Sequence, residues 1–182
     1  MLIFRRCVAL AIVLLASVPL IAQQPDAATK PTEPVDFRKL KEALPAELLS
    51  IKRTEASGEK NSMGGFKISQ ARGTYTQDAD AENAPRIEVT ITDYSGTQGI
   101  AGAMAAWAQN EIDRESDSGY ERTTKVGDYP AYETYQNESK AGQFQVFVDG
   151  RFIIQVDTTN VPAEQLKKLG EELHLEKLAA LK

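Results

Sequence analysis

His174 is the chain's one histidine and Cys7 its one cysteine. A Ser-His-Asp mechanism needs a histidine held between a hydroxyl and a carboxylate, and a zinc centre needs several nitrogen or sulfur ligands. A single histidine near the end of a C-terminal helical pattern supplies neither; there it simply suits the negative end of a helix dipole. Asp78, Asp80 and Glu82 alternate oxygen ligands as a calcium loop does. The match fails at the sixth position, Asn83 where glycine is required, and at the twelfth, Val89 where glutamate is required. Gly96, Gly99 and Gly102 stand between a strand pattern and a helical one, where free amides can hold an anion. Their spacing is not GxGxxG and no Walker lysine follows, so they predict a turn and close helix packing. No catalytic residue, metal ligand or cofactor site is assigned. Tyr120, Tyr129, Tyr132 and Tyr135 cluster; with Phe147 and Ile153, the last three form the candidate partner surface.

Three functions fit this inventory. The leading one is a non-enzymatic exported domain that binds a protein or an envelope component. The first alternative is a carboxylate-based hydrolase of the envelope, since the chain has 26 acidic side chains and glycoside chemistry needs only two, about 5–10 Å apart. The second is a small-ligand binder with a cavity beneath the small-residue helix described below.

The elements that must position these residues begin with an address. Arg5 and Arg6 precede sixteen almost wholly apolar residues, Cys7 to Ala22, fewer than the ~20 that a spanning helix needs. Residues 1–22 read as a secretory signal peptide cleaved before Gln23, predicting a secreted or periplasmic protein with no membrane attachment after cleavage. Its removal takes the only cysteine, so no disulfide is expected. It also takes two positive charges, moving the net charge from −5 to −7. An acidic chain without a basic run does not suit nucleic acid or anionic lipid. Residues 23–34, rich in Pro, Ala and Thr, read as a flexible linker, and 35–182 as a single α+β domain.

Within that domain Val35 to Leu44 has helical spacing. Leu48 to Glu55, Phe66 to Thr76 and Arg86 to Tyr94 read as strands, the last with clean alternation of Ile87, Val89 and Ile91. A helix to about Glu115 follows, crowded at its start with Ala101, Gly102, Ala103, Ala105, Ala106 and Ala108. Arg122 to Val126 and Ala131 to Gln136 are two more strands. Gln143 to Leu173 then reads as strand, tight turn, strand and helix. Phe144, Val146 and Val148 share one strand face, and Phe152, Ile154 and Val156 another. A Val148-Asp149-Gly150 loop pairs Val146 with Phe152 and Phe144 with Ile154, with Gly150 left-handed after a type I turn. The short polar turns imply antiparallel pairing: a sheet of about six or seven strands covered by helices.

The strings Met63–Thr76 (MGGFKISQARGTYT), Gly119–Tyr135 (GYERTTKVGDYPAYETY) and Val148–Val156 (VDGRFIIQV) resemble a group of exported bacterial proteins of unassigned function. The order of elements resembles the PsbP-like α/β/α sandwich. That resemblance implies an accessory or partner-binding module without a shared catalytic centre, and it carries no site residue over.

Overall fold

The computed structural model describes residues 32–64, 66–78, 81, 83–97 and 99–181. The expected signal peptide, most of the expected linker, and two of the three calcium-loop candidates, Asp80 and Glu82, lie outside them. In chain order the elements are α1 (Phe37–Ala43), β1 (Glu47–Leu48), β2 (Ile51–Met63), β3 (Phe66–Thr76), β4 (Arg86–Asp93), α2 (Ile100–Trp107), β5 (Asp113–Ser116), β6 (Gly119–Val126), β7 (Tyr129–Gln136), β8 (Ala141–Val148), β9 (Phe152–Thr159), α3 (Glu164–Glu171) and α4 (Leu175–Ala179). The strands form one sheet in the order β1-β2-β3-β4-β9-β8-β7-β6-β5, and every neighbouring pair is antiparallel. Two meanders, β1–β4 and β5–β9, therefore join along the seam where β9 lies beside β4.

Pairing direction agrees with the sequence, but the expected architecture does not. The sheet has nine strands instead of six or seven, and it is not an α/β/α sandwich. The inner face carries the hydrophobic core: Tyr75, Ile87, Val89, Ile91, Phe144, Val146, Phe152, Ile154 and Val156 are buried there, with Leu40 of α1, Leu166 and Leu169 of α3, and Leu178 of α4 in the same cluster. The outer face is polar and largely satisfies itself. Gln143 Nε2 donates to Asp157 Oδ1 at 2.7 Å, Gln155 Nε2 to Asp157 Oδ2 at 2.9 Å, and Gln70 Nε2 to Thr92 Oγ1 at 3.1 Å. A face paired in this way has little apolar area for a helical layer to bury. The small-residue helix stops at Trp107 instead of reaching Glu115, and Asp113–Ser116 becomes β5. From it the Trp107 ring rests on Phe147 (centroids 4.3 Å apart) and meets Tyr132 edge-on at 5.7 Å, and Met104 of the same helix is buried too.

Two further expectations shift for local reasons. Leu49 and Ser50 both take positive φ, 51° and 65°, so the strand expected over Leu48 to Glu55 breaks into β1 and β2. The β8–β9 hairpin keeps its expected faces but pairs two residues along: Val148 faces Phe152, Val146 faces Ile154 and Phe144 faces Val156. Asp149 and Gly150 both have positive φ, 52° and 61°, and the Arg151 amide donates to the Val148 carbonyl at 3.1 Å. That is the sign pattern of a type I′ turn, which leaves Arg151 as the extra loop residue. Alternation fixes a face, but a shift of two preserves it; the turn chose between the two registers.

Candidate functional site

Two carboxylates are buried among the described residues, Asp93 at 0% and Glu133 at 6% exposure. Asp93 ends β4, opposite Phe152. Its Oδ2 accepts the Val35 amide at 2.8 Å and its Oδ1 the Ser95 amide at 2.9 Å. The Arg151 guanidinium adds Nη2 to Oδ2 at 2.8 Å and Nε to both oxygens at 3.0 and 3.2 Å. Arg151 Nη1 also donates to the Leu181 carbonyl at 3.4 Å. Burial pushes this carboxyl upward. The Arg151 bonds and the two amides more than offset it and hold Asp93 below the usual carboxylate range. With every lone-pair direction occupied, this group ties Val35 before α1 and, through Arg151, Leu181 after α4 to the sheet and has nothing left for a ligand.

Glu133 lies on the inner face of β7, between Arg122 of β6 and Phe144 of β8. Its Oε1 accepts the Tyr120 hydroxyl and, at 2.8 Å, Arg122 Nη2. The guanidinium also lies 4.5 Å over the Tyr120 ring, which stacks on Tyr135 at 5.8 Å. Burial raises the Tyr120 phenol above its ordinary value, and the Glu133 charge raises it further. Among the described residues no donor reaches Glu133 Oε2, and that oxygen is not sealed from solvent.

The two buried carboxylates do not make a hydrolytic pair. They are separated by three strand spacings, about 14 Å, and by four residues along the strand, about 14 Å again. The resulting ~20 Å far exceeds what inverting or retaining glycoside chemistry uses.

The tyrosine region divides between the faces. Tyr129 and Tyr135 point inward, and the Tyr135 hydroxyl donates to the Val161 carbonyl at 3.0 Å. Tyr132 points outward and donates to Glu121 Oε1 at 2.5 Å. Phe147 is buried beneath Trp107, and Ile153, its cross-strand neighbour, is half-buried. These five residues are not brought together on one surface. His174, left-handed at φ 53°, sits between α3 and α4 with Nδ1 3.5 Å from Glu176. Among the described residues no group of three or more His, Cys, Asp or Glu side chains could hold a metal ion.

The large exposed hydrophobic residues lie elsewhere. The β3–β4 ladder ends at Ser69 opposite Asp93, but β2 and β3 continue past it to Met63 opposite Phe66. The hairpin tip overhangs the sheet by three residue pairs, about 10 Å. Met63 is 83% and Phe66 60% exposed. Glu33 clamps the base of the overhang, its carboxylate between Lys60 Nζ at 2.5 Å and Lys67 Nζ at 2.8 Å, and these two cations hold it at about 2. From Thr54 to Met63, β2 has a strand neighbour on one side only among the described residues. The signal for this tip stood in the sequence as Met-Gly-Gly-Phe, two apolar residues flanking a glycine turn.

No family profile matches the chain, and comparison with curated proteins and with solved structures gives no relative. No helix among the described residues is long and apolar enough to cross a membrane.

Proposed function

We propose that this chain is a protein-binding module whose contact element is the β2–β3 hairpin. The observation that carries the reading is the Met63–Phe66 pair, held in the open at the end of a clamped, overhanging hairpin. Apolar side chains so exposed favour a partner that buries them. The unpartnered side of β2 supplies main-chain donors and acceptors for an added strand, the mode in which sheet edges bind peptides. A protein suits the tip better than a lipid surface, because the chain is acidic overall, at −5, and anionic lipid attracts basic segments. The apolar run at Cys7 to Ala22 and the three strings resembling exported bacterial proteins support a partner outside the cytoplasm, in the envelope or beyond it.

The test is a photo-crosslinking amino acid placed at Phe66 in cells producing the full chain. The expected result is a covalent adduct with one discrete protein, lost when Met63→Ser is added. Adducts with lipid alone, or an adduct pattern indifferent to Met63→Ser, would overturn the reading.

A further inference from the structure

The inner face at Glu133 is not filled. A cavity of about 200 Å³ lies between β6, β7 and α3. Gly142 of β8 helps to shape this region: a Cβ there would stand 2.8 Å from Leu166 Cδ1, so the missing side chain lets α3 settle onto the sheet. Phe144 and Leu166 give the cavity an apolar wall, while Arg122, Glu133, Lys167 and Glu171 give it charge. Those four sum to zero, two positive against two negative. Lys125 also borders the cavity, but strand alternation turns its side chain toward the outer face.

We infer that this cavity binds a small free amino acid, with its ammonium on Glu133 Oε2 and its carboxylate between Arg122 and Lys167. Four observations select that class. Glu133 is nearly buried, yet it keeps one oxygen that no donor among the described residues reaches and that solvent can reach, so an ammonium can take it. A bare anion would meet that carboxylate and be repelled, whereas a simple amine would leave Lys167 and the remaining N–H donors of Arg122 without an anion. Arg122 commits Nη2 to Glu133 and keeps further N–H donors in the fork geometry that suits a carboxylate. The volume equals that of about seven waters at ~30 Å³ each, below the range of drug-sized sites, so the side chain must be short and can rest on Phe144 and Leu166. This inference is independent of the hairpin reading, since α3 and β6–β7 lie across the sheet from β2.

The test is calorimetric titration of the purified full chain with each of the twenty amino acids. For every binder, the matching α-hydroxy acid (no ammonium) and the matching amine (no carboxylate) are titrated as well. The expected result is binding of at least one small amino acid with Kd at or below about 1 mM, and binding about tenfold or more weaker for both matched compounds. Glu133→Gln is expected to weaken binding by about tenfold, and Lys167→Ala, an exposed position, by about fivefold with an unchanged melting temperature. The inference is overturned if no amino acid binds, if the hydroxy acid binds as well as the amino acid, or if Lys167→Ala retains full affinity. Should Glu133→Gln fail to fold, the Lys167 variant and the matched compounds still decide.

Discussion

Asp93 and Glu133 are the same kind of group in nearly the same setting: each is a buried carboxylate on the inner face of one sheet, holding an arginine. They differ in completeness. Both oxygens of Asp93 are occupied, by two backbone amides and a guanidinium that grips them from the side. At Glu133 both donors crowd onto Oε1. Asp93 acts as a rivet, drawing in Val35 before α1, Ser95 after β4 and, through Arg151, the tail at Leu181. Glu133 is an open valence beside a cavity. A saturated buried charge and an unsaturated one thus mark where the fold is fastened and where it remains available to something else.

The largest effect should come from breaking the rivet. Arg151→Ala leaves the Asp93 charge buried without its counter-ion, a change that typically costs ~3–5 kcal/mol out of the ~5–15 kcal/mol a domain has to lose. Denaturant midpoints at constant slope should show that loss. A loss under about 1 kcal/mol would erase the contrast between the two sites.

A smaller effect follows from pH. The native Asp93 carboxyl titrates below its ordinary value, so its contribution to stability is complete above the unfolded pKa of ~3.9 and disappears as pH falls through the lower native value. The wild-type chain should therefore lose stability on acidification below about pH 4, and Asp93→Asn should flatten that slope while lowering stability at neutral pH. Parallel curves for the two proteins would show that Asp93 is not the group responsible.

The smallest effect belongs to Glu133→Gln. The uncharged amide keeps an oxygen for Tyr120 and Arg122, and Arg122 is half-exposed, so about 1 kcal/mol of stability is at stake. Its clearer signature is spectroscopic. Tyr120 is held high by burial and then by the Glu133 hydrogen bond and charge, so in the variant its phenol should ionise at lower pH. An unchanged ultraviolet titration would separate Tyr120 from Glu133 and break the cluster.

Much of the fold was legible, for identifiable reasons. The strand expected over Phe66 to Thr76 matches β3, and Arg86 to Tyr94 matches β4 to within one residue, because in β4 alternate side chains enter the core and the sequence alternates with them. The stretch of β2 beyond Glu55 was not legible: Ser57 to Ser62 is without an apolar side chain on either face, since that part of the strand lies at the edge with almost nothing to bury. β5, Asp-Arg-Glu-Ser, is exposed throughout for the same reason and was absorbed into the helix before it. Neither carboxylate site could be read in advance. Asp93 and Arg151 are 58 residues apart in sequence, and Glu133 looked like any solvated strand residue until β6 brought Arg122 alongside. The tyrosines drew attention as a group, and strand alternation divides them: Tyr120, Tyr129 and Tyr135 face inward, where Tyr120 stacks on Tyr135, and Tyr132 faces outward.

The placement of β9 has a consequence for how the molecule must be made. This strand comes last of the nine in chain order, yet it lies near the middle of the sheet, between β4 and β8. Until residues 152–159 emerge, β4 and β8 each present an unpaired flank, and the side chains they would bury (Ile87, Val89 and Ile91 on one, Phe144 and Val146 on the other) have no common strand between them. Such flanks are templates for wrong partners, and pairings this distant in sequence close slowly. A nascent chain of this sequence consequently stays open along this seam until β9 has emerged. A stop codon just before Phe152 would leave two half-sheets with no seam, and a sticky product instead of a slightly shorter protein.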